Sequence, residues 1–291
     1  QEKMRILFVS DGSFDGTSRI LASYTNIDVL EYQPRQGKPY ALNLAMKNVT
    51  TPLVIFTDAR QLLAPDAIIL LVRSLMNPQI GAASGELVHH SSASRSGQHV
   101  GLYWLYEKWI RKSESRLHSV AGVTGALYAI NSSDYEPIKE DTILDDFEIP
   151  IKILKRGKRV VLLEGAELYD STQEDAQKEK QRKIRTLSGN YQSFARNAWL
   201  FNPLRNPIWI QFISHKVMRL LVPYFMVIAF VTPFFLTGWV YTFIIVLQCL
   251  FYASALLGKL LPSLRNNKLI SFCYIFFELN AGSVISLKRY F

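Results

Sequence analysis

The stretch Ile6-Leu7-Phe8-Val9-Ser10-Asp11-Gly12-Ser13-Phe14-Asp15-Gly16-Thr17 decides how this chain is read. A short apolar run ends in a carboxylate and passes into a glycine-rich turn, as when a buried strand delivers an acid to the edge of an open α/β sheet. Two further apolar runs end the same way: Leu53-Val54-Ile55-Phe56-Thr57 at Asp58, and Ile143-Leu144 at Asp145-Asp146. Carboxylates at the carboxyl ends of strands lie where such a sheet binds its ligand. Gathered in one crevice, they suit a metal-bound phosphate and a general base. The first turn also begins like a calcium loop, but its twelfth position is Ala22, where a bidentate glutamate is required. A plain turn that caps the next helix with Asp or Ser would use the same residues without any ligand.

Around these stations, short apolar runs alternate with amphipathic stretches, the pattern of βαβ units. Strands are expected at residues 4–9, 27–32, 53–57, 80–88, 125–130 and 160–163. Helices are expected at 17–24, 39–47, 65–76, 97–117, 147–155 and 174–194. Pro65 suits a first helical turn, and Gly157 suits a helix end. Helix 97–117 carries the densest aromatic run of this part, Tyr103-Trp104-Leu105-Tyr106-Glu107-Lys108-Trp109. Aromatic faces suit sugar rings, yet a stripe at helical spacing equally suits a core. His89, His90 and His99 lack the partner spacing of a zinc site.

With 49% hydrophobic and 20% charged residues the chain is globular rather than disordered. Its net charge is +9, and six of those nine charges arise from Trp209 onward, in Lys216, Arg219, Lys259, Arg265, Lys268, Lys288 and Arg289 against Glu278. Basic residues flanking apolar segments are a membrane pattern. The first part of the chain has no basic stripe interleaved with aromatics, so nucleic acid is not an expected partner. Cys249 and Cys273 lie inside apolar runs, which indicates neither a disulfide framework nor a zinc site. The chain opens on Gln1 without a secretory signal and is read as a fragment.

Three apolar runs close the sequence, at 217–236, 239–257 and 269–287. Each has about the twenty residues needed to cross a bilayer. Residues 208–219 read as an interfacial lead-in. The basic loop 259–268 is expected on the cytoplasmic side. Glu278 and Asn280, costly in lipid, are expected to face neighbouring helices or a polar path. The domain reading is a catalytic part over 1–200 and a membrane part over 201–291.

The turn at 11–17, Gly37-Lys38 with Ala41-Leu42-Asn43, and Phe56-Thr57-Asp58-Ala59 resemble the nucleotide half of a family 2 glycosyltransferase with a GT-A fold. Residues 122–128 and Leu144-Asp145-Asp146 resemble its acceptor half. The apolar tail extends the resemblance to the membrane branch of cellulose, hyaluronan and poly-N-acetylglucosamine synthases. The resemblance implies that Asp11 contacts uracil, that Lys38 lies near the nucleotide, and that Asp58 holds Mg2+ or Mn2+ on the diphosphate. It makes Asp146 the base that takes the acceptor proton and Asp145 a supporting carboxylate. Arg185 matches the arginine of a Gln-x-x-Arg-Trp motif and is implied to bind the diphosphate; Arg182 stands in place of the Gln and is placed in the same site.

The chain departs from the family pattern at three points. Asp-x-Asp reads Asp58-Ala59-Arg60, so Arg60 replaces the second metal carboxylate, either meeting the diphosphate itself or standing solvated. Thr186 replaces the Trp, which removes a stacking platform. The family's first strand has no counterpart, and a sheet lacking this central strand would expose apolar edges. The expectation is an α/β, Rossmann-like GT-A domain, truncated at its start and followed by transmembrane helices. It would act as an inverting enzyme of the cell (inner) membrane, with its catalytic domain cytoplasmic. It would transfer sugar from a UDP-sugar to a polysaccharide or lipid-linked acceptor, with membrane lipids and polysaccharide export subunits as partners. The alternatives are single transfer to a lipid phosphate, or a catalytically silent partner of a synthase complex.

Overall fold

The computed structural model describes residues 4–89, 97–170 and 176–290, with side chains except those of 89, 97–104, 176–180 and 289. The readings made for His90, and for the side chains of His89, His99, Tyr103 and Trp104, lie outside the described residues. The chain forms two compact units, one from 1–88 with 118–170 and one from 89–117 with 171–291.

In the first unit, β1 (Leu7–Asp11) and β2 (Asp28–Tyr32) pair in parallel, Leu7 opposite Asp28 and Asp11 opposite Tyr32, joined through α1 (Thr17–Leu21). A second sheet has the order β3-β6-β5-β7-β4, where β3 is Leu53–Thr57, β4 Leu62–Leu63, β5 Ile80–His89, β6 Leu127–Asn131 and β7 Arg159–Asp170. The pairs β3/β6, β5/β6 and β4/β7 are antiparallel. Among the described residues, β1 and β3 each have a single ladder partner, so the strands part into two sheets between them. At the division, β3 is wholly apolar over Leu53-Val54-Ile55-Phe56 yet only half-buried.

The core lies on the larger sheet. Helix α3 (Ala67–Leu75) buries Ala67, Leu71 and Leu75, a four-residue spacing that aligns one face. These pack with Ala83, Leu127, Ala129, Val161, Ala166 and Leu168. Full burial of a leucine such as Leu71 contributes about 2 kcal/mol relative to exposure. Helix α5 (Asp145–Lys155) buries Ile149, Ile151, Ile153 and Leu154; its acids stand in the first turn and Lys152 and Lys155 in the last, complementing the helix dipole. Helix α2 (Lys38–Lys47) opens with a proline in its first turn.

The second unit is helical: α4 (Gly97–Leu117), α6 (Ala176–Arg196), α7 (Trp209–Phe235), α8 (Trp239–Leu260) and α9 (Lys268–Tyr290). Helices α4 and α6, which the sequence reading counts with the first two hundred residues, pack here with the apolar helices. Ser188 of α6 donates to the carbonyl of Ser286, and Ser283 to that of Leu220, so small hydroxyls join α6, α7 and α9. Of the polar groups of α9, Glu278 faces a neighbouring helix, 3.9 Å from Lys259 of α8, whereas Asn280 donates to Phe276 O of its own helix. Among the described residues, three helices are long and apolar enough to cross a membrane, with 17%, 6% and 28% of their most apolar windows buried inside the fold.

Candidate active site

Four structural devices converge on one lysine. At the end of β1, Asp11 accepts from the backbone N–H of Gln36 at 2.7 Å and of Gly37 at 2.9 Å. This close approach needs Gly12: its φ is +66°, and a Cβ there would stand 2.6 Å from Arg35 N. Asp11 thereby fixes the first turn of α2, and with it Lys38. The Lys38 ammonium donates to Asp58 Oδ1 at 3.2 Å and to the carbonyl of Gly125 at 3.2 Å, and it faces Asp145 Oδ2 at 3.3 Å. Asp58 arrives from the end of β3, and Asp145 from the first turn of α5.

Asp146 is placed by a missing hydrogen bond. Pro150 has no N–H to return to the Asp146 carbonyl four residues earlier. The N–H of Val123 takes that position at 2.9 Å and ties the loop 122–126 to the head of α5. Gly125 leaves the room for it, since a Cβ there would lie 3.1 Å from Asp146 Oδ2. The loop is pinned from below: Thr124 N–H donates to Ser84 Oγ at 2.8 Å, and Thr124 Oγ1 donates to Gly85 O at 2.7 Å. Asp145 is buried and Asp146 half-buried, so the second carboxylate is the accessible one.

The electrostatics follow from this crowding. Burial pushes the Lys38 ammonium down, but Asp145 and then Asp58 outweigh it and raise its pKa. Burial, and then the Asp11 charge, push the Tyr32 phenol up to about 12. Tyr135 is raised by burial and by Asp145. Tyr128, buried and stacked on Phe56 at 4.6 Å, is raised by burial and then by Asp145 and Asp146. Asp58 and Asp145 against one ammonium leave the crevice short of positive charge, so a diphosphate enters favourably only with added positive charge.

The structure thus brings Asp11, Lys38, Asp58, Asp145 and Asp146 together. It does not do so for Arg60, which pairs with Asp170 at 3.0 Å while 55% of its side chain stays exposed. That pairing follows from the antiparallel contact of β4 with β7, which sets Leu62 opposite Tyr169. Arg182 and Arg185 lie on exposed turns of α6, in the second unit. Sequence reasoning missed Asp170 and Ser84, and it gave Thr124 and Tyr128 only within the stretch 122–128, without a role. Among the described residues no three His, Cys, Asp or Glu side chains converge to hold a metal ion. Asp58 alone cannot form a protein cage. It fits a cation that is carried on the substrate's phosphates and keeps several waters.

Residues 1–138 match the family described as glycosyl transferase family 2. The fold aligns with the mannosyltransferase PcManGT from Pyrobaculum calidifontis, solved in complex with GDP-Man and Mn2+. The TM-score is 0.69 and the identity 20%, over 98% of this chain and 78% of that one. The family match thus covers just under half of the chain, and the fold is of the GT-A type. The chain is 25% identical to poly-beta-1,6-N-acetyl-D-glucosamine synthase of Staphylococcus aureus (strain COL) over 55% of this chain and 40% of that protein. It is 31% identical to an N-acetylglucosaminyltransferase of Bradyrhizobium elkanii over 30% of this chain and 50% of that protein. The matches thus span half or less of the curated relatives' own length.

Proposed function

We propose that the chain is a membrane-anchored inverting glycosyltransferase that transfers a sugar from a UDP-sugar to a growing polysaccharide or glycolipid. The observation that carries this is the Lys38 ammonium held between Asp58 and Asp145, with Asp146 at the accessible head of α5. Asp146 takes the proton of the acceptor hydroxyl as its oxygen bonds to the sugar's anomeric carbon. The bond from that carbon to the diphosphate breaks on the opposite face, and UDP departs. Lys38 sets a fixed positive charge where the diphosphate lies, and Asp145 holds Lys38 in place. Asp11, through Gln36 and Gly37, shapes the nucleotide pocket and retains lone pairs for the base. Asp58 would be the protein ligand of a divalent cation, Mg2+ or Mn2+, on the diphosphate, which would supply charge neutralisation for the leaving group. Arg182 and Arg185 are assigned to the departing diphosphate, on charge alone.

Helices α7–α9 would anchor the chain in the cell membrane, with the basic turn between α8 and α9 and the catalytic unit on the cytoplasmic side. The two named relatives make UDP-N-acetylglucosamine the first donor to test. The experiment incubates membranes with radiolabelled UDP-sugars and Mg2+ or Mn2+, comparing the parent with Asp146→Asn. Polymer from the parent alone supports the reading, and a lipid-extractable product favours single transfer to a lipid phosphate. No turnover with any common donor would leave the silent-partner reading, which Arg60 and the divided sheet favour. Co-purification with polysaccharide export subunits would extend the assignment to a synthase complex.

A further inference from the structure

Among the largest fully buried side chains of the described residues, Tyr128 alone carries a polar atom. It stands on β6 of the larger sheet, opposite Phe56 of β3 and Ser84 of β5. Its chain neighbours Leu127 and Ala129 lie in the core with α3, so alternation along the strand turns Tyr128 to the other face. The stack on Phe56, with centroids 4.6 Å apart, fixes the plane of its ring. The phenol oxygen is buried without a hydrogen-bond partner. Such a group costs stability, and native structures keep few of them. The charges that act on this phenol are those of Asp145 first, then Asp146, Tyr135 and Asp58.

A second unsatisfied atom belongs to the carboxylate that dominates this list. Asp145 Oδ2 is buried without a hydrogen-bond partner. The Lys38 ammonium faces it at 3.3 Å but directs its hydrogen bonds to Asp58 Oδ1 and Gly125 O, each at 3.2 Å. An ammonium has three N–H donors, so the third, on the Asp145 side, is the one that a diphosphate oxygen can take. The charge that offsets Asp145 is then shared with the phosphates, and a buried carboxylate short of its partner is costly. Two phenols feel the Asp145 charge, and Tyr135 is already committed, donating to Asn43 Oδ1 at 2.8 Å. We infer that Tyr128 is a positioning residue of the transfer reaction, whose phenol donates to Asp145 Oδ2 when the donor's diphosphate engages Lys38. The hydrogen bond holds Asp145, and with it the adjacent Asp146 at the head of α5, while Asp146 takes the acceptor proton. The inference deepens the transferase reading and rests on it.

The test uses the full chain in detergent and Tyr128→Phe, which keeps the ring on Phe56 and removes only the hydroxyl. Infrared difference spectra are recorded on adding UDP with Mg2+, with isotope-labelled tyrosine to mark the phenol C–O bands, and calorimetry on the same samples reports binding. The expected result is an isotope-sensitive tyrosine band in the parent and in Tyr135→Phe that is absent from Tyr128→Phe. UDP binding without that band in the parent, or a band lost with Tyr135→Phe instead, overturns the inference alone. Failure of the parent to bind UDP defeats the transferase reading and the inference with it, so the two failures are distinct. In turnover, Tyr128→Phe should lower kcat about tenfold with the donor KM within about twofold of the parent's. An unchanged kcat overturns the inference. A nucleotide-free arm reads the same contact: in Lys38→Met, Asp145 has only the phenol to turn to. Adding Tyr128→Phe there should lower the unfolding temperature by at least about 2 °C more than it does in the parent. Additive shifts also overturn the inference.

Discussion

The two units each hold an ionic cluster, and the clusters differ in balance and in access. In the first, the Lys38 ammonium is shared by Asp58 and Asp145, and both Lys38 and Asp58 keep about two fifths of their side-chain surface in solvent, 39% and 40%. In the second, one imidazole is clamped on both nitrogens, His215 and Glu114 are each 6% exposed, and Arg219 and Lys216 add positive charge beside Glu107. This buried cluster joins α4 to α7. An open cluster short of positive charge is unsatisfied until a charged ligand arrives. Charge density alone does not mark a functional site; the unmatched remainder does.

The comparison breaks most visibly at Asp146. Asp146→Asn keeps the shape and removes the base, so turnover should fall by about 10²-fold or more with the unfolding temperature unchanged. A stopped assay for UDP release, beside a thermal melt, checks both halves. Lys38→Met should come next. It leaves Asp58 and buried Asp145 facing each other without a cation, so UDP affinity should fall by about tenfold or more in calorimetry. Retention of parent affinity would show that Lys38 does not serve the diphosphate.

In the closed cluster the effect should appear as stability instead. His215→Ala removes the partner that Glu107 and Glu114 share, leaving Glu107 only its other cations, and should cost about 3 kcal/mol in detergent-solubilised protein, with UDP binding intact. Acid should act on the same cluster. For Glu107, burial raises the carboxyl, but the His215 hydrogen bond and the charges of His215, Lys216 and Arg219 outweigh it, and its pKa is lowered. Its stabilisation is therefore full above the unfolded value of about 4.3 and lost as pH falls through the folded one. Glu107→Gln should flatten the melting temperature against pH below about 4. Lys38 has the opposite sign. Its raised pKa keeps the ammonium charged, so donor binding should show no alkaline limb from it below about pH 10. The smallest effect should be Arg60→Ala, about 1 kcal/mol of stability, because Arg60 is half-exposed and bound to Asp170 rather than to the carboxylate group.

Much of this was legible beforehand. Helix 97–117 and strand 53–57 fall where the pattern put them, and the first strand lies at Leu7–Asp11 rather than 4–9. Strand β7 runs to Asp170, well past the expected 163, because its later part pairs with β4, a two-residue strand too short to carry a period. The five residues that converge on the site were all named from their motifs. Arg60 was misjudged because its partner stands 110 positions away. The stripe of α4 was ambiguous because periodicity reports that one face is apolar, not what covers it.

Sequence by itself determined the strand-borne carboxylates, their order, and the apolar helices that follow, since each rests on neighbours within a few positions. Only the tertiary structure decided that Lys38 joins Asp58 to Asp145 and that Arg60 turns to Asp170. Those contacts join residues far apart in the chain, and packing of one element on another, not local pattern, sets which charges meet.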